Sequence, residues 1–252
     1  MKQKRYLWLP VLLVAIAVSI LPAYSQQVRQ LASGFQVSTL GALNVGVYEG
    51  AATLAQIKQQ GDFGLGTIEG LDGELVGLDG KFYHVKADGI TYPVADEVKT
   101  PFATVTFFHT DDSLRLNGQM NYLELQQQID ARLPTQNLPY AIRIRGNFPY
   151  LKVRSVPKQS PPYMPLSDVV SQQAAIFDLR NVRGTLVGFR MPQYLKSVNA
   201  AGYHFHLITS DRSSGGHLLD GEFLHPKADI ETLRDWQMML PDNTAFGQAP
   251  LE

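Results

Sequence analysis

Gly202-Tyr203-His204-Phe205-His206-Leu207-Ile208-Thr209-Ser210-Asp211-Arg212-Ser213-Ser214-Gly215-Gly216-His217 reads as a strand, a turn and the start of a second strand. Successive side chains of an extended strand point to opposite faces, so His204 and His206 share one face while Tyr203, Phe205 and Leu207 share the other. Ser213 to Gly216 let the chain reverse, and a strand beginning at His217 sets a third imidazole beside the first two. Three neutral ring nitrogens suit zinc, and three protein ligands leave a tetrahedral ion one position for water or substrate, as in catalytic sites. The competing reading is a solvated strand on which histidines merely alternate. Imidazole serves several metals, so the spacing points to a metal more firmly than to zinc.

Outward from this stretch, Gly and Pro cut the chain into short segments rich in Val, Ile, Phe, Tyr and Thr, which predicts strands. They fall at Gly64-Ile68, Glu74-Leu78, Lys81-Val85, Ala103-His109, Tyr140-Arg145, Leu151-Val156, Thr185-Arg190, Tyr203-Thr209 and His217-Phe223. Asp79-Gly80 suits a type I′ hairpin between the second and third of these. Thr53 with Gln56, and Asn121 with Glu124, have the spacing of capping boxes and open two short helices, and Ser167 is placed to cap a third from Asp168 to about Ala174. Pro157, Pro161, Pro162 and Pro165 suggest a domain junction. The fold expected is α+β with two sheet-based lobes: a mixed-sheet N-terminal domain over residues 26–150 and a strand-rich C-terminal domain over 151–252 that carries the histidines.

Residues 1–25 are expected to be a signal peptide. Lys2, Lys4 and Arg5 form a positive head, Leu7 to Leu21 is almost wholly apolar, and Ala23-Tyr24-Ser25 offers small residues for cleavage before Gln26. The apolar run is too short for a spanning helix, so the expected product is exported, periplasmic or extracellular, with no membrane association after cleavage. Cysteine is absent, which removes disulfides and thiolate ligands. The segment holds three of 22 basic residues and none of 23 acidic ones, so the mature chain carries a net charge of −4. Nucleic acid is therefore not expected as a partner. Arg143, Arg145, Lys152, Arg154 and Lys158 form a local basic cluster without interleaved aromatics, read as a solvated strand edge.

Gly61-Asp62-Phe63-Gly64-Leu65-Gly66 lacks the third glycine of a dinucleotide loop and runs into strand-like sequence, and no Gly-x-Ser-x-Gly elbow occurs. These segments carry a different likeness. Gly61 to Thr67, Leu71-Asp72-Gly73-Glu74-Leu75, Phe82-Tyr83, Pro101-Phe102, Tyr140-Ala141-Ile142-Arg143-Ile144, Arg183 to Phe189, Gly202-Tyr203-His204-Phe205-His206 and Ser214-Gly215-Gly216-His217 resemble the α-acetolactate decarboxylase family, in order from about residue 35 to residue 245.

The resemblance implies a zinc enzyme with His204, His206 and His217 as ligands, Glu74 and Arg154 as catalytic residues, and Thr67 with Arg154 as substrate contacts. It implies a homodimer that converts (S)-2-acetolactate to (R)-acetoin and carbon dioxide through a metal-chelated enediolate, with Glu74 as proton donor and Arg154 orienting the carboxylate. Without the resemblance, Glu74 and Arg154 would read as solvated surface charges. His84, His109 and His225 match no family ligand and are read as structural or surface residues. The family places a further glutamate in its C-terminal tail; Glu252 is the only acidic residue here after Asp242, and no role is carried over to it. Two other readings stand beside this one. A cupin-like metal oxygenase would need a glutamate shortly after the His-x-His pair, where Ser210 and Asp211 stand, and an exported zinc-binding module would need neither Glu74 nor Arg154.

Overall fold

The computed structural model describes residues 32–251, so the signal segment expected over 1–25 and Glu252 lie outside the described residues. In chain order the strands are β1 (Ser33–Val37), β2 (Ala52–Thr53), β3 (Phe63–Ile68), β4 (Asp72–Leu78), β5 (Lys81–Val85), β6 (Thr91–Pro93), β7 (Lys99–Thr100) and β8 (Ala103–Thr106). They continue with β9 (Asp112–Arg115), β10 (Gln119–Asn121), β11 (Tyr140–Ser155), β12 (Ala175–Met191), β13 (Gly202–Thr209), β14 (Gly215–Leu224), β15 (Lys227–Thr232) and β16 (Asp235–Met239). Among the described residues five short α-helices accompany them: α1 (Leu40–Asn44), α2 (Leu54–Lys58), α3 (Tyr122–Asp130), α4 (Leu166–Gln173) and α5 (Thr244–Gln248). The architecture is the expected strand-rich α+β type. None of the described helices is long and apolar enough to cross a membrane.

Among the described residues, fourteen of the sixteen strands form two seven-stranded sheets, one in the order β16-β1-β8-β3-β4-β5-β6 and the other β10-β14-β13-β12-β11-β15-β9. Their facing surfaces bury Phe63, Leu65, Val76 and Val85 of the first sheet against Val187, Phe189 and Ile208 of the second. The opposite face of the second sheet is covered by α3, whose Leu125 and Ile129 join Ile142, Leu151, Val153, Phe205 and Leu207. Gly64 shows how tightly strands of the first sheet approach: a Cβ there would lie 2.2 Å from the Thr104 carbonyl oxygen. That contact, rather than a phosphate cradle, accounts for a glycine in β3.

Local signals held where the chemistry is local. Both capping boxes form, at Thr53 with Gln56 and at Asn121 with Glu124. Asp79 (φ 52°) and Gly80 (φ 75°) are both left-handed, as a type I′ turn requires. Ser167 does not cap α4; the helix starts at Leu166 behind Pro165, and the Ser167 hydroxyl bonds Asp168 inside it.

Longer-range expectations needed correction. The strands expected at Tyr140-Arg145 and Leu151-Val156 are one strand, β11, so a boundary at residue 150 falls inside it. Pro149 has no N–H to donate, but Asn181 opposite takes a left-handed φ of 53°, and the pairing of β11 with β12 resumes at Tyr150 and Arg180. The proline-rich stretch links two strands of the same sheet. The second sheet begins with β9, and β16 returns the chain to the first sheet in parallel with β1. Nor is the basic cluster a solvated edge, because β11 is interior to its sheet. Arg143 and Arg145 reach the buried Asp229 carboxylate at 3.3 and 2.7 Å, with Lys227 at 2.8 Å.

A second buried carboxylate joins the sheets. Glu231 of β15 accepts the His109 backbone N–H at 3.1 Å and the Thr106 hydroxyl at 3.3 Å, and burial pushes its carboxyl up to about 7. A raised folded-state value means that this group's stabilising contribution is fully present below its ordinary carboxylate range and is lost as pH rises through about 7. Glu231→Gln keeps the shape and removes the charge. It should therefore raise the thermal midpoint at pH 8 relative to the unsubstituted protein, with the gain shrinking toward pH 5; an equal effect at both pH values would contradict this account.

Candidate metal centre

The histidines are placed by strand alternation and pairing. β13 sets His204 opposite Phe189 and His206 opposite Val187 of β12, while β14 brings His217 opposite His206. Because Val187 and Phe189 line the space between the sheets, the two β13 histidines face that space, and Phe205 and Leu207 enter the core behind.

His204 Nε2 lies 3.2 Å from His206 Nε2 and 3.1 Å from His217 Nδ1. A tetrahedral ion bound at zinc–nitrogen distance sets neighbouring nitrogens about 3.3 Å apart, so this spacing fits a shared metal. His206 Nδ1 donates to the Leu75 carbonyl at 2.9 Å, which leaves the Nε2 lone pair turned toward the other rings. Burial, followed by the neighbouring His206 and Arg154, holds His204 well below the ordinary imidazole range. His217 is also held well below that range by burial, Arg154 and the other two rings, and His206 falls to about 3 through burial despite its bond to Leu75. The result is three uncharged imidazoles. Among the described residues, this is the group of three or more metal-type side chains able to hold an ion.

Glu74 and Arg154, 80 positions apart, meet beside these rings. Arg154 Nη1 donates to Glu74 Oε1 at 3.2 Å, and Glu74 Oε2 lies 3.3 Å from His206 Nε2. Burial dominates the Glu74 carboxyl and pushes it up to about 7, with Arg154 and His84 pulling the other way. The surface reading of both residues therefore fails: their side chains are 7% and 14% exposed.

Two glycines within strands make the meeting possible. Gly73 has a φ of 65°, and a Cβ on it would stand 2.2 Å from the Val85 carbonyl oxygen; the Thr67 hydroxyl donates to the Gly73 carbonyl at 2.6 Å. Thr67 thus commits its proton to the backbone just before Glu74, and toward a substrate it can act only as an acceptor. Gly216, with a φ of 139°, brings β14 against β11 where a Cβ would lie 2.7 Å from the Arg154 carbonyl oxygen, and His217 pairs with Arg154 in register. The remaining histidines lie outside the three-ring group. His84 lies 3.6 Å from Asp72, His109 is exposed, and His225 Nδ1 accepts the Gly118 N–H. Asp211, near the place of a cupin glutamate, instead bonds Thr209 and Ser213 within its own turn.

The sequence profile of the alpha-acetolactate decarboxylase family matches residues 35–252, a span that includes every residue of this centre. The chain belongs to that family. As an alpha-acetolactate decarboxylase family member it is an enzyme of the carboxy-lyase class. The alpha-acetolactate decarboxylase of Methanosarcina mazei is 49% identical over 217 residues, covering 86% of this chain and 75% of that protein. That of Bacillus subtilis strain 168 is 40% identical over 218 residues, covering 86% and 85%. The crystal structure of alpha-acetolactate decarboxylase from Bacillus subtilis strain 168 superposes with a TM-score of 0.85 at 39% identity, covering 87% of this chain and 94% of that one.

Spacing in sequence could not reveal Leu75, whose role is a backbone carbonyl, or the demand at Gly216. Gly216→Ala places a methyl group against the Arg154 carbonyl in a backbone conformation that alanine resists. It should cost about 2 kcal/mol or more of stability and weaken divalent-metal binding, read by denaturant titration and metal titration of the same preparation. Unchanged values in both would show that β14 can move away without cost.

Proposed function

We propose that this protein is a zinc-dependent acetolactate decarboxylase that converts (S)-2-acetolactate to (R)-acetoin and carbon dioxide. The observation that carries the reading is that Arg154 meets Glu74 at 3.2 Å and Glu74 meets His206, one of the three clustered imidazoles, at 3.3 Å, in a chain of this family. When bound by His204, His206 and His217, zinc supplies a Lewis acid that polarises the substrate ketone and stabilises developing negative charge.

Arg154 offers the substrate carboxylate a planar, permanently charged fork, and so turns the bond that breaks toward a fixed direction. Breaking that bond releases carbon dioxide and leaves its electron pair on the ketone side as an enediolate. Glu74, with its carboxyl pushed up to about 7, can hold a proton near neutral pH and deliver it to the carbon that lost the carboxylate. Delivery from one side gives one enantiomer, and Glu74 recovers a proton from water. The facing cores of the two sheets limit water at the reacting atoms.

Export with removal of residues 1–25, and assembly as a homodimer, belong to the same proposal. Their support is the charged head and apolar run of the N-terminal segment and the family resemblance. Terminal sequencing of secreted protein and light scattering at micromolar concentration decide them; an intact Met1 and a monomeric mass would overturn them.

Purified protein given racemic acetolactate should release carbon dioxide and acetoin, and chelation should stop it. Elemental analysis should find one zinc per chain, lost when His204, His206 or His217 is replaced by Ala. Glu74→Gln should retain zinc yet lower turnover by about a hundredfold and reduce the enantiomeric purity of the acetoin. Arg154→Lys, which keeps the charge but loses the fork, should also raise KM. Wild-type turnover and purity in Glu74→Gln would remove Glu74 as the proton donor.

A further inference from the structure

Ser155 ends β11 one position after Arg154 and is fully buried. Leu151 and Val153, at alternate positions before it, fill the core with apolar side chains, so an apolar residue would continue the pattern. A hydroxyl held there has to be hydrogen-bonded to be tolerated. It donates to the Val85 carbonyl at 2.8 Å, a bond from the second sheet to the first.

Val85 stands at a junction of the site. It is the register partner of Glu74, its carbonyl oxygen occupies the space that a Cβ on Gly73 would need, and its Cγ2 would lie 2.9 Å from a Cβ on Gly215, two residues before His217. A second bond runs alongside, from the Gly73 N–H to the carbonyl of Val156 at 3.0 Å. The end of β11 is thus fastened to β5 through Ser155, and the residue after it, Val156, is fastened to Gly73 of β4, just before Glu74. Arg154 lies next to both fastenings, and its own contact with Glu74 is one hydrogen bond of 3.2 Å.

We propose that Ser155 is a positioning residue for decarboxylation: through the Val85 carbonyl it sets how the Glu74 carboxyl meets the Arg154 guanidinium. The inference rests on the decarboxylase function proposed above. Ser155 touches neither substrate nor metal ligands and acts only by holding β11 against β5. Displacing a proton donor by a fraction of an ångström from its working position lowers the rate of the step while leaving carboxylate binding largely intact.

The test compares Ser155→Ala, Ser155→Cys and Ser155→Thr with the unsubstituted enzyme, each assayed with racemic acetolactate at saturating zinc and with folded fraction and zinc content measured. Cysteine nearly matches serine in size but donates weakly, so it separates packing from hydrogen bonding. Ser155→Ala and Ser155→Cys should both lose about tenfold or more in kcat with KM changed less than about threefold and zinc unchanged. Ser155→Thr, which keeps the hydroxyl, should recover most of the rate. Wild-type kcat in Ser155→Cys with a loss in Ser155→Ala would show that only volume matters, and wild-type kcat in both, even with a lowered thermal midpoint, would leave Ser155 a purely structural residue. Either result overturns the inference while the decarboxylase reading stands, whereas an inactive unsubstituted protein removes both.

Discussion

The hydrogen bond from His206 Nδ1 to the Leu75 carbonyl is the contact on which the centre depends. It fixes which ring nitrogen carries the proton and turns the other toward His204 and His217. It also crosses from the second sheet to the first, so the metal-type ligands, all on β13 and β14, are indexed to β4. Glu74 precedes Leu75 on that strand. The residue that aims an imidazole and the residue that meets the arginine are therefore neighbours in the chain, and neither can shift without the other.

Electrostatics explains why the same molecule holds buried carboxylates in opposite states. Burial pushes Asp229 up, but Lys227, Ser113 and Arg145 supply enough charge and hydrogen bonds to hold it at about 2. Glu74 has Arg154 as its close cationic partner, and burial prevails, raising it to about 7. The adjoining imidazoles are uncharged for the same reason: a protonated ring there would be desolvated and would face Arg154. Asp229 is thus surrounded by donors and cations, whereas Glu74, suited to carrying a proton, has few.

Close approach of backbones supplies the remaining precision. Gly73 lets β4 fold under the Val85 carbonyl, Gly216 lets β14 lie against β11, and Thr67 and Ser155 pin backbone carbonyls on either side. These residues surround the acid, the arginine and the third histidine without being any of them. Small side chains and hydroxyls at such positions would look interchangeable in an unpaired strand.

The sequence by itself determined features whose causes lie within a few residues. Alternation put His204 and His206 on one face, the Ser and Gly run returned His217 to them, and Thr53, Asn121 and Asp79-Gly80 marked helix starts and a hairpin that all formed. Glu74 and Arg154 were visible only through resemblance to a family, since neither has local neighbours that distinguish it from a solvated charge. Tertiary structure alone decided that β11 runs unbroken past Pro149, that β16 rejoins the first sheet, and that Arg143 and Arg145 converge on Asp229. It alone set Leu75 beneath His206 and gave Thr67 its partner in Gly73. The physical reason is the range of the interactions: strand periodicity and capping are satisfied by near neighbours, whereas desolvation, inter-sheet hydrogen bonds and the meeting of residues 80 positions apart exist only once two sheets have packed face to face.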